Sequence, residues 1–143
     1  MEVRKLKIDD YEGMIDLWTK ADLPFKRRGR DSRLAVARQM KSDPSLFLGA
    51  FRDNTLVGVV IGSYDHRGKG WINRLAVNPE YQRHGVGQLL ISGMERILKM
   101  KGVLLICALI EEESLQSMRL FEKLGYTCHK SILYFSKRES EDV

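Results

Sequence analysis

The sequence predicts a mixed α/β fold in which helices cover both faces of one sheet. Three observations carry this. Apolar alternation between Ser45 and Val77, broken by short turns, reads as an antiparallel meander. Helical periodicity flanks that block on both sides. An apolar run, Val103 to Ile110, then follows a long helix, as a further strand of the sheet would.

Taken in order, Val3 to Ile8 alternates apolar and polar residues and predicts a short strand. Asp9 and Asp10 suit the start of a helix whose apolar positions are Tyr11, Met14, Ile15, Leu17 and Trp18. Pro24 lies in the connection to a second helix, capped by Asp31 or Ser32, with Leu34, Ala35, Ala37 and Met40 as its apolar set. Ser45 to Arg52 and Thr55 to Ser63 flank Asp53-Asn54, a two-residue hairpin turn. Trp71 to Val77 forms the third strand of the meander. Val86 to Lys101 is a long helix, with Val86, Leu90, Met94, Ile97 and Leu98 on one side and Gly102 as its stop. A buried strand (Val103 to Ile110), a helix (Ser114 to Leu124) and two strands (Tyr126 to Lys130, Ile132 to Ser136) complete the order β-α-α-β-β-β-α-β-α-β-β.

The chain has 143 residues, 43% apolar and 30% charged, which fits one domain over residues 1–143. No apolar run approaches the ~18 residues of a membrane span, and the first residues do not read as a signal peptide. A cytoplasmic protein is expected. Cys107 and Cys128 form neither a CxxC pair nor a disulfide framework and read as reduced, buried thiols. His66, His84 and His129 lack metal-ligand spacing, so no metal is expected. The net charge of +5 admits an anionic ligand without requiring nucleic acid.

Residues 73–90 carry the chemistry. A strand ends at Pro79, a polar loop turns, and glycines lead directly into the long helix. The first turn of a helix has N–H groups without intrahelical partners and a dipole that favours anions. Glycines there let a phosphate approach the backbone. Two common phosphate loops are excluded by spacing. A Walker loop needs Lys and Ser/Thr after its last glycine, where Gln88-Leu89 stands, and the dinucleotide fingerprint needs a small residue at Leu90.

The stretch Leu75 to Gly87, with Gln82-Arg83-His84-Gly85-Val86-Gly87 at its end, resembles the acetyl-CoA motif of the GNAT acetyltransferase superfamily, Arg/Gln-x-x-Gly-x-Gly/Ala after a strand ending Val-x-Pro. Ser114 to Tyr126, ending Leu120-Phe121-Glu122-Lys123-Leu124-Gly125-Tyr126, resembles a second motif of that family. The resemblance covers nearly the whole chain. It implies an N-acetyltransferase that passes the acetyl group of acetyl-CoA directly to an amine, on a small molecule or a protein N-terminus or lysine. It also implies a fold in which the strands ending at Val77 and starting at Val103 splay apart. Residues implied to bind the co-substrate are Leu75, Ala76 and Val77 along the strand edge, Gln82, Arg83, His84, Gly85, Val86, Gly87 and Gln88 around the pyrophosphate, and Ser114, Ser117 and Phe121 on the later helix. The Leu75 N–H is the implied catalytic group, stabilising the oxyanion of the tetrahedral intermediate. Many relatives dimerise, so a homodimer is compatible with the resemblance. A bulky residue at Gly85 or Gly87 is expected to weaken acetyl-CoA binding with the fold largely intact.

The family pattern breaks in places. Ser114 stands where Asn is frequent, and either bonds the cofactor or caps its helix. Phe121 stands where many relatives have Tyr, whose phenol protonates the departing thiolate; phenylalanine has no proton to give. Tyr126 reads as a packing aromatic and less as a substitute acid. Trp71 matches the position of the usual base Glu, while Asp65 and His66 read as a solvated hairpin end. Deprotonating a lysine-type amine at pH 7 costs about 4.6 kcal/mol and an α-amine about 1. Without an evident base, a low-pKa amine is the easier acceptor. Lys26-Arg27-Arg28-Gly29-Arg30 reads as a solvated loop or as attraction to an anionic acceptor or RNA, whereas Glu111-Glu112-Glu113 would attract a cation. A non-catalytic acyl-CoA-binding module is the alternative reading, and Lys137 to Val143 reads as a frayed tail.

Overall fold

In the computed structural model, which describes residues 1–143, five strands form one sheet in chain order. They are β1 (Glu2–Lys5), β2 (Phe47–Arg52), β3 (Thr55–Tyr64), β4 (Lys69–Val77) and β5 (Leu105–Ala108). The helices are α1 (Tyr11–Lys20), α2 (Arg33–Ser42), α3 (Val86–Met100) and α4 (Leu115–Lys123). Neighbouring strands from β1 to β4 pair antiparallel, and β5 joins β4 in parallel. A parallel neighbour needs a long crossover, which α3 supplies. No helix is long and apolar enough to cross a membrane.

The periodicity of α1 buries Tyr11, Met14, Ile15, Leu17 and Trp18, the residues that the sequence places together. The Asp10 carboxylate accepts the Lys7 N–H at 2.8 Å and Arg4 at 3.1 Å, holding the chain as it enters that helix. Ser32 caps α2 by accepting the Ala35 N–H at 3.1 Å. Its buried face is Val36 and Met40, one helical turn apart, whereas Leu34 is 61% exposed. Of the expected set Met40 is buried, Ala35 and Ala37 are half-buried and Leu34 faces out, while Val36 takes its place, because small alanines carry little information about direction.

Asp53 and Asn54 have φ of +51° and +66°, the left-handed pair that a type I′ hairpin turn requires. Under α3 the sheet presents glycines. A Cβ at Gly58 would lie 2.7 Å from Val86 and 2.8 Å from Leu90, and one at Gly62 would lie 2.6 Å from Met94 Sδ. Overpacking of this kind costs about 1–3 kcal/mol. Ile61, one residue from Gly62 and therefore on the opposite face, borders a cavity together with Trp18 of α1. The two helical layers thus meet the sheet from opposite sides, and α3 stops at Gly102, whose φ is +84°.

The expected strands Tyr126 to Lys130 and Ile132 to Ser136 do not form; residues 126–143 contain no helix or strand. Alternation makes a segment suitable for a sheet, but a strand exists only where neighbouring backbone pairs with it. This segment instead crosses to the α1–α2 connection, where the Asp142 carbonyl accepts the Arg30 N–H at 3.0 Å. The outer edge of β5 consequently has no neighbour. Its run is not the buried strand expected: Val103 is buried, but Leu104 is 94% and Leu105 55% exposed. Cys107 is half-buried and Cys128 exposed, both as free thiols, so neither is the fully buried thiol expected.

Candidate active site

β4 and β5 pair only from Lys69 with Leu105 to Ile72 with Ala108. Beyond that point the pairing stops, and residues 73–77 of β4 have no partner strand on the β5 side. A bulge prepares this edge. Ile61 of β3 stands opposite Arg74 and Gly62 opposite Ile72, so Asn73 is an extra residue without a partner.

The bulge also resets which backbone groups face which neighbour. Before it, the Lys69 carbonyl accepts from Asp65 on the β3 side; after it, the Asn78 N–H donates to Val57, again toward β3. An odd position faces β3 before the bulge and an even one after it. By alternation, the N–H groups of Leu75 and Val77 point away from β3, toward the side on which β5 no longer pairs. Leu75 and Val77 are half-buried and Ala76 is buried.

This edge runs into the loop before α3. Gln82 is extended, Arg83 has φ +70° and Gly85 φ +76°. A left-handed arginine is a strained residue at a loop that turns into a helix. The first backbone bond of α3 runs from Leu89 N–H to Gly85 O at 3.0 Å, and the N–H groups of Arg83 to Gln88 donate to no acceptor in the chain. They converge at the helix N-terminus, where the dipole adds positive potential. The side chains of Arg83 and His84 are exposed, with His84 edge-on to Tyr81 at 6.2 Å.

The two glycines serve different ends. Gly85 needs its positive φ, and a Cβ there would meet nothing within 4 Å. Gly87 is buried, and its Cβ would lie 2.8 Å from Leu120 Cδ2 of α4. A side chain at Gly87 requires Leu120 to move, whereas one at Gly85 meets nothing.

α4, whose Leu120 lies against Gly87 at the start of α3, carries Ser117 and Phe121, with Ser114 at its N-cap. Ser114 makes no side-chain cap bond, so its capping role is not realised and its hydroxyl is free. Phe121 is 5% exposed and packs edge-on against Tyr126 at 4.9 Å. The Tyr126 hydroxyl donates to Glu95 Oε2 at 2.7 Å, and burial together with Glu95 pushes that phenol well above its usual range. It is a packing residue tied to α3, not a free acid.

Asp65 is equally committed. Its carboxylate accepts the N–H groups of Arg67 at 2.7 Å and Lys69 at 3.0 Å, and these backbone bonds hold it below the ordinary carboxylate range. His66 has φ +60° and its ring lies 4.3 Å from that of Tyr64. Both belong to the solvated hairpin end.

On the α1–α2 side of the bulge lies a cavity of about 300 Å³, bordered by Trp18, Arg30, Gln39, Asn73 and Arg74. Arg74 Nη2 donates to Asp31 Oδ2 at 2.7 Å, and its guanidinium carbon sits 5.0 Å from the Trp18 ring centroid. A second cavity of about 290 Å³, between Pro24, Lys26, Tyr134 and Arg138, shares Arg30 and Arg74 with it. The exposed acids Glu111 to Glu113 stand before α4. No group of three or more His, Cys, Asp or Glu is arranged to hold a metal.

The family model described as the acetyltransferase (GNAT) family matches residues 10–126. The chain belongs to the GNAT acetyltransferase family. A curated acetyltransferase of Sodalis glossinidius (strain morsitans) is 35% identical over 99% of this chain and 98% of its own length. Another, from Photorhabdus laumondii, is 35% identical over 96% of this chain and 95% of its own. Among solved structures, the PaiA N-acetyltransferase of Thermoplasma acidophilum, in complex with coenzyme A, is 28% identical, covers 90% of each chain and superposes with a TM-score of 0.76. As a GNAT protein the chain is an acetyl-CoA-dependent N-acetyltransferase.

The sequence motif marks the glycine loop before α3 and the β4 edge beside it. It is silent on the Asn73 bulge, on the buried Asp31–Arg74 pair and on Trp18 as a cavity wall. No local pattern marks them, because each depends on residues far apart in the chain.

Proposed function

We propose that acetyl-CoA lies along the open inner edge of β4, with its pyrophosphate on the N–H groups of Arg83 to Gln88 and its pantetheine arm against Leu75 to Val77. The observation that carries this is the parting of β4 and β5 immediately after the bulge, which frees a row of backbone groups continuous with those donors. An amide-rich arm suits such an edge as an added strand would. Gln82 and the Ser114 and Ser117 hydroxyls flank the path, while Phe121 gives α4 an apolar contact with the core.

The amine attacks the thioester carbonyl directly, and negative charge develops on its oxygen. The Leu75 N–H, held on a strand and aimed at the gap, stabilises that charge without reorganising. The intermediate collapses by expelling the CoA thiolate. Phe121 has no proton to give, so water supplies one to the thiolate and takes the one that the amine nitrogen sheds. The acceptor enters from the α1–α2 side, through the cavity at Asn73 and Arg74. A small-molecule amine fits that volume, at the low end of small-ligand pockets. We place the protein in the cytoplasm, a reading supported by its free thiols.

Turnover of acetyl-CoA, read as free thiol against small amines and peptide N-termini, tests this reading. Release that depends on one acceptor class, with initial rates intersecting as for a ternary complex, is the expected result. Parallel lines, the signature of a covalent acyl-enzyme, would overturn direct attack.

A further inference from the structure

The cavity beside the bulge has a charge balance that selects its occupant. Arg30 and Arg74 border it with the neutral amides of Gln39 and Asn73. The one acid on its wall, Asp31, already accepts Arg74 Nη2 at 2.7 Å and the Lys26 N–H at 2.8 Å. Asp31 thus offsets Arg74 and leaves Arg30, which forms no ion pair, as the uncompensated charge. Trp18, fully buried beside the cavity, gives it an apolar wall.

We propose that this cavity is the acceptor subsite and that it takes a small amine bearing a carboxylate, the carboxylate meeting Arg30 and the donors around it while the amine reaches toward Leu75. The inference rests on the reading of residues 75–77 as the acetyl-CoA edge. One uncompensated positive charge matches a monoanion better than a doubly charged phosphate. Guanidinium forks and amide donors suit two carboxylate oxygens. The same cations disfavour the protonated form of an amine nearby, lowering its pKa. That effect supplies part of what a general base would do, in a site where Asp65 is committed to its own turn and Trp71 stands at the base position. A cationic acceptor without an acid group would meet like charge.

The test is calorimetric binding of glycine, β-alanine and 4-aminobutyrate, each against its carboxamide, with and without saturating CoA. The carboxylates are expected to bind at least tenfold more tightly than their carboxamides. Arg30→Gln, at an exposed position outside the folded core, should abolish that preference while leaving CoA affinity unchanged. Equal binding of the two series overturns the proposal, as does binding of neither, or a preference that survives Arg30→Gln. Loss of CoA binding itself counts against the acetyl-CoA edge instead. The preference measured without CoA then judges the cavity separately.

Discussion

Arg74 and Asp31, 43 residues apart in sequence, form a 2.7 Å ion pair that ties β4 to the α1–α2 connection one residue before Leu75. Asp31 is 6% exposed, and burial lowers the Arg74 pKa despite the attraction of its partner. Removing one member of a buried pair leaves an uncompensated charge, at a cost of about 3–5 kcal/mol. Asp31→Asn should therefore lower unfolding free energy by about 3 kcal/mol, measured by urea denaturation. Replacing both members, as Asp31→Leu with Arg74→Met, should recover most of it. A double variant no better than the single one would show that the pair stabilises beyond mutual compensation.

Gly85 and Gly87 should respond differently to substitution. Gly85→Ala forces a side chain into the left-handed region, at about 1–2 kcal/mol, with no steric contact to relieve. Gly87→Ala meets only the flexible end of Leu120 and should cost less than about 1 kcal/mol. Gly87→Trp should undock α4 and speed hydrogen exchange over residues 115–126. All three should weaken acetyl-CoA binding in calorimetry. Wild-type affinity in a folded Gly85→Ala protein would count against the pyrophosphate assignment.

These contrasts mark how far the sequence reaches. The buried face of α1, the Asp53-Asn54 turn and the glycine turn that opens α3 are local, set by periodicity, φ preference and spacing, and each is present in the structure. The Asn73 bulge depends on register against β3, and the Arg74–Asp31 pair on docking of a distant loop. Neither leaves a local trace. The segment after Tyr126 fails for a related reason. Its alternation describes side chains, whereas a strand is decided by whether backbone groups find partners.

The Asp43–Lys101 pair sets an acid limit. Lys101 Nζ lies 2.8 Å from Asp43 Oδ2, and both side chains are about a quarter exposed, at 24% and 23%. Burial alone would raise the Asp43 pKa, but hydrogen bonds from Lys101 and Ser45 outweigh it and hold the carboxyl below its usual value; the same bond raises Lys101. Because the folded carboxyl value is depressed, the stabilisation is complete above the unfolded value of about 3.9 and is lost as pH falls through the folded one. The lysine's share is present below its unfolded value of about 10.4 and is lost as pH rises through the folded one. Lys101→Met should thus be less stable than wild type at neutral pH, with the gap closing below about pH 4. Urea midpoints taken across the acid range measure this. A gap that stays constant there would mean the pair's charge contributes nothing.

Phe121 offers the sharpest test of the leaving-group step. It sits 4.9 Å from Tyr126, whose phenol is held by Glu95, so neither ring supplies a proton as the chain stands. A positioned general acid is worth about 10²–10⁴-fold where proton transfer limits the rate. Phe121→Tyr should raise kcat by at least about tenfold, below that range because the ring was packed for an apolar contact. KM should hold, since the phenol acts only as the thiolate departs. The rate should also acquire an alkaline limb as the new phenol titrates near 10. Tyr126→Phe provides the contrast: it forfeits the bond to Glu95, at about 1 kcal/mol of stability, and should leave kcat unchanged. A fall in kcat for Tyr126→Phe, with no gain for Phe121→Tyr, would transfer the acid's role to Tyr126 and require its bond to Glu95 to open during turnover. An unchanged kcat in both would place the limiting step outside thiolate release, at amine attack or product departure.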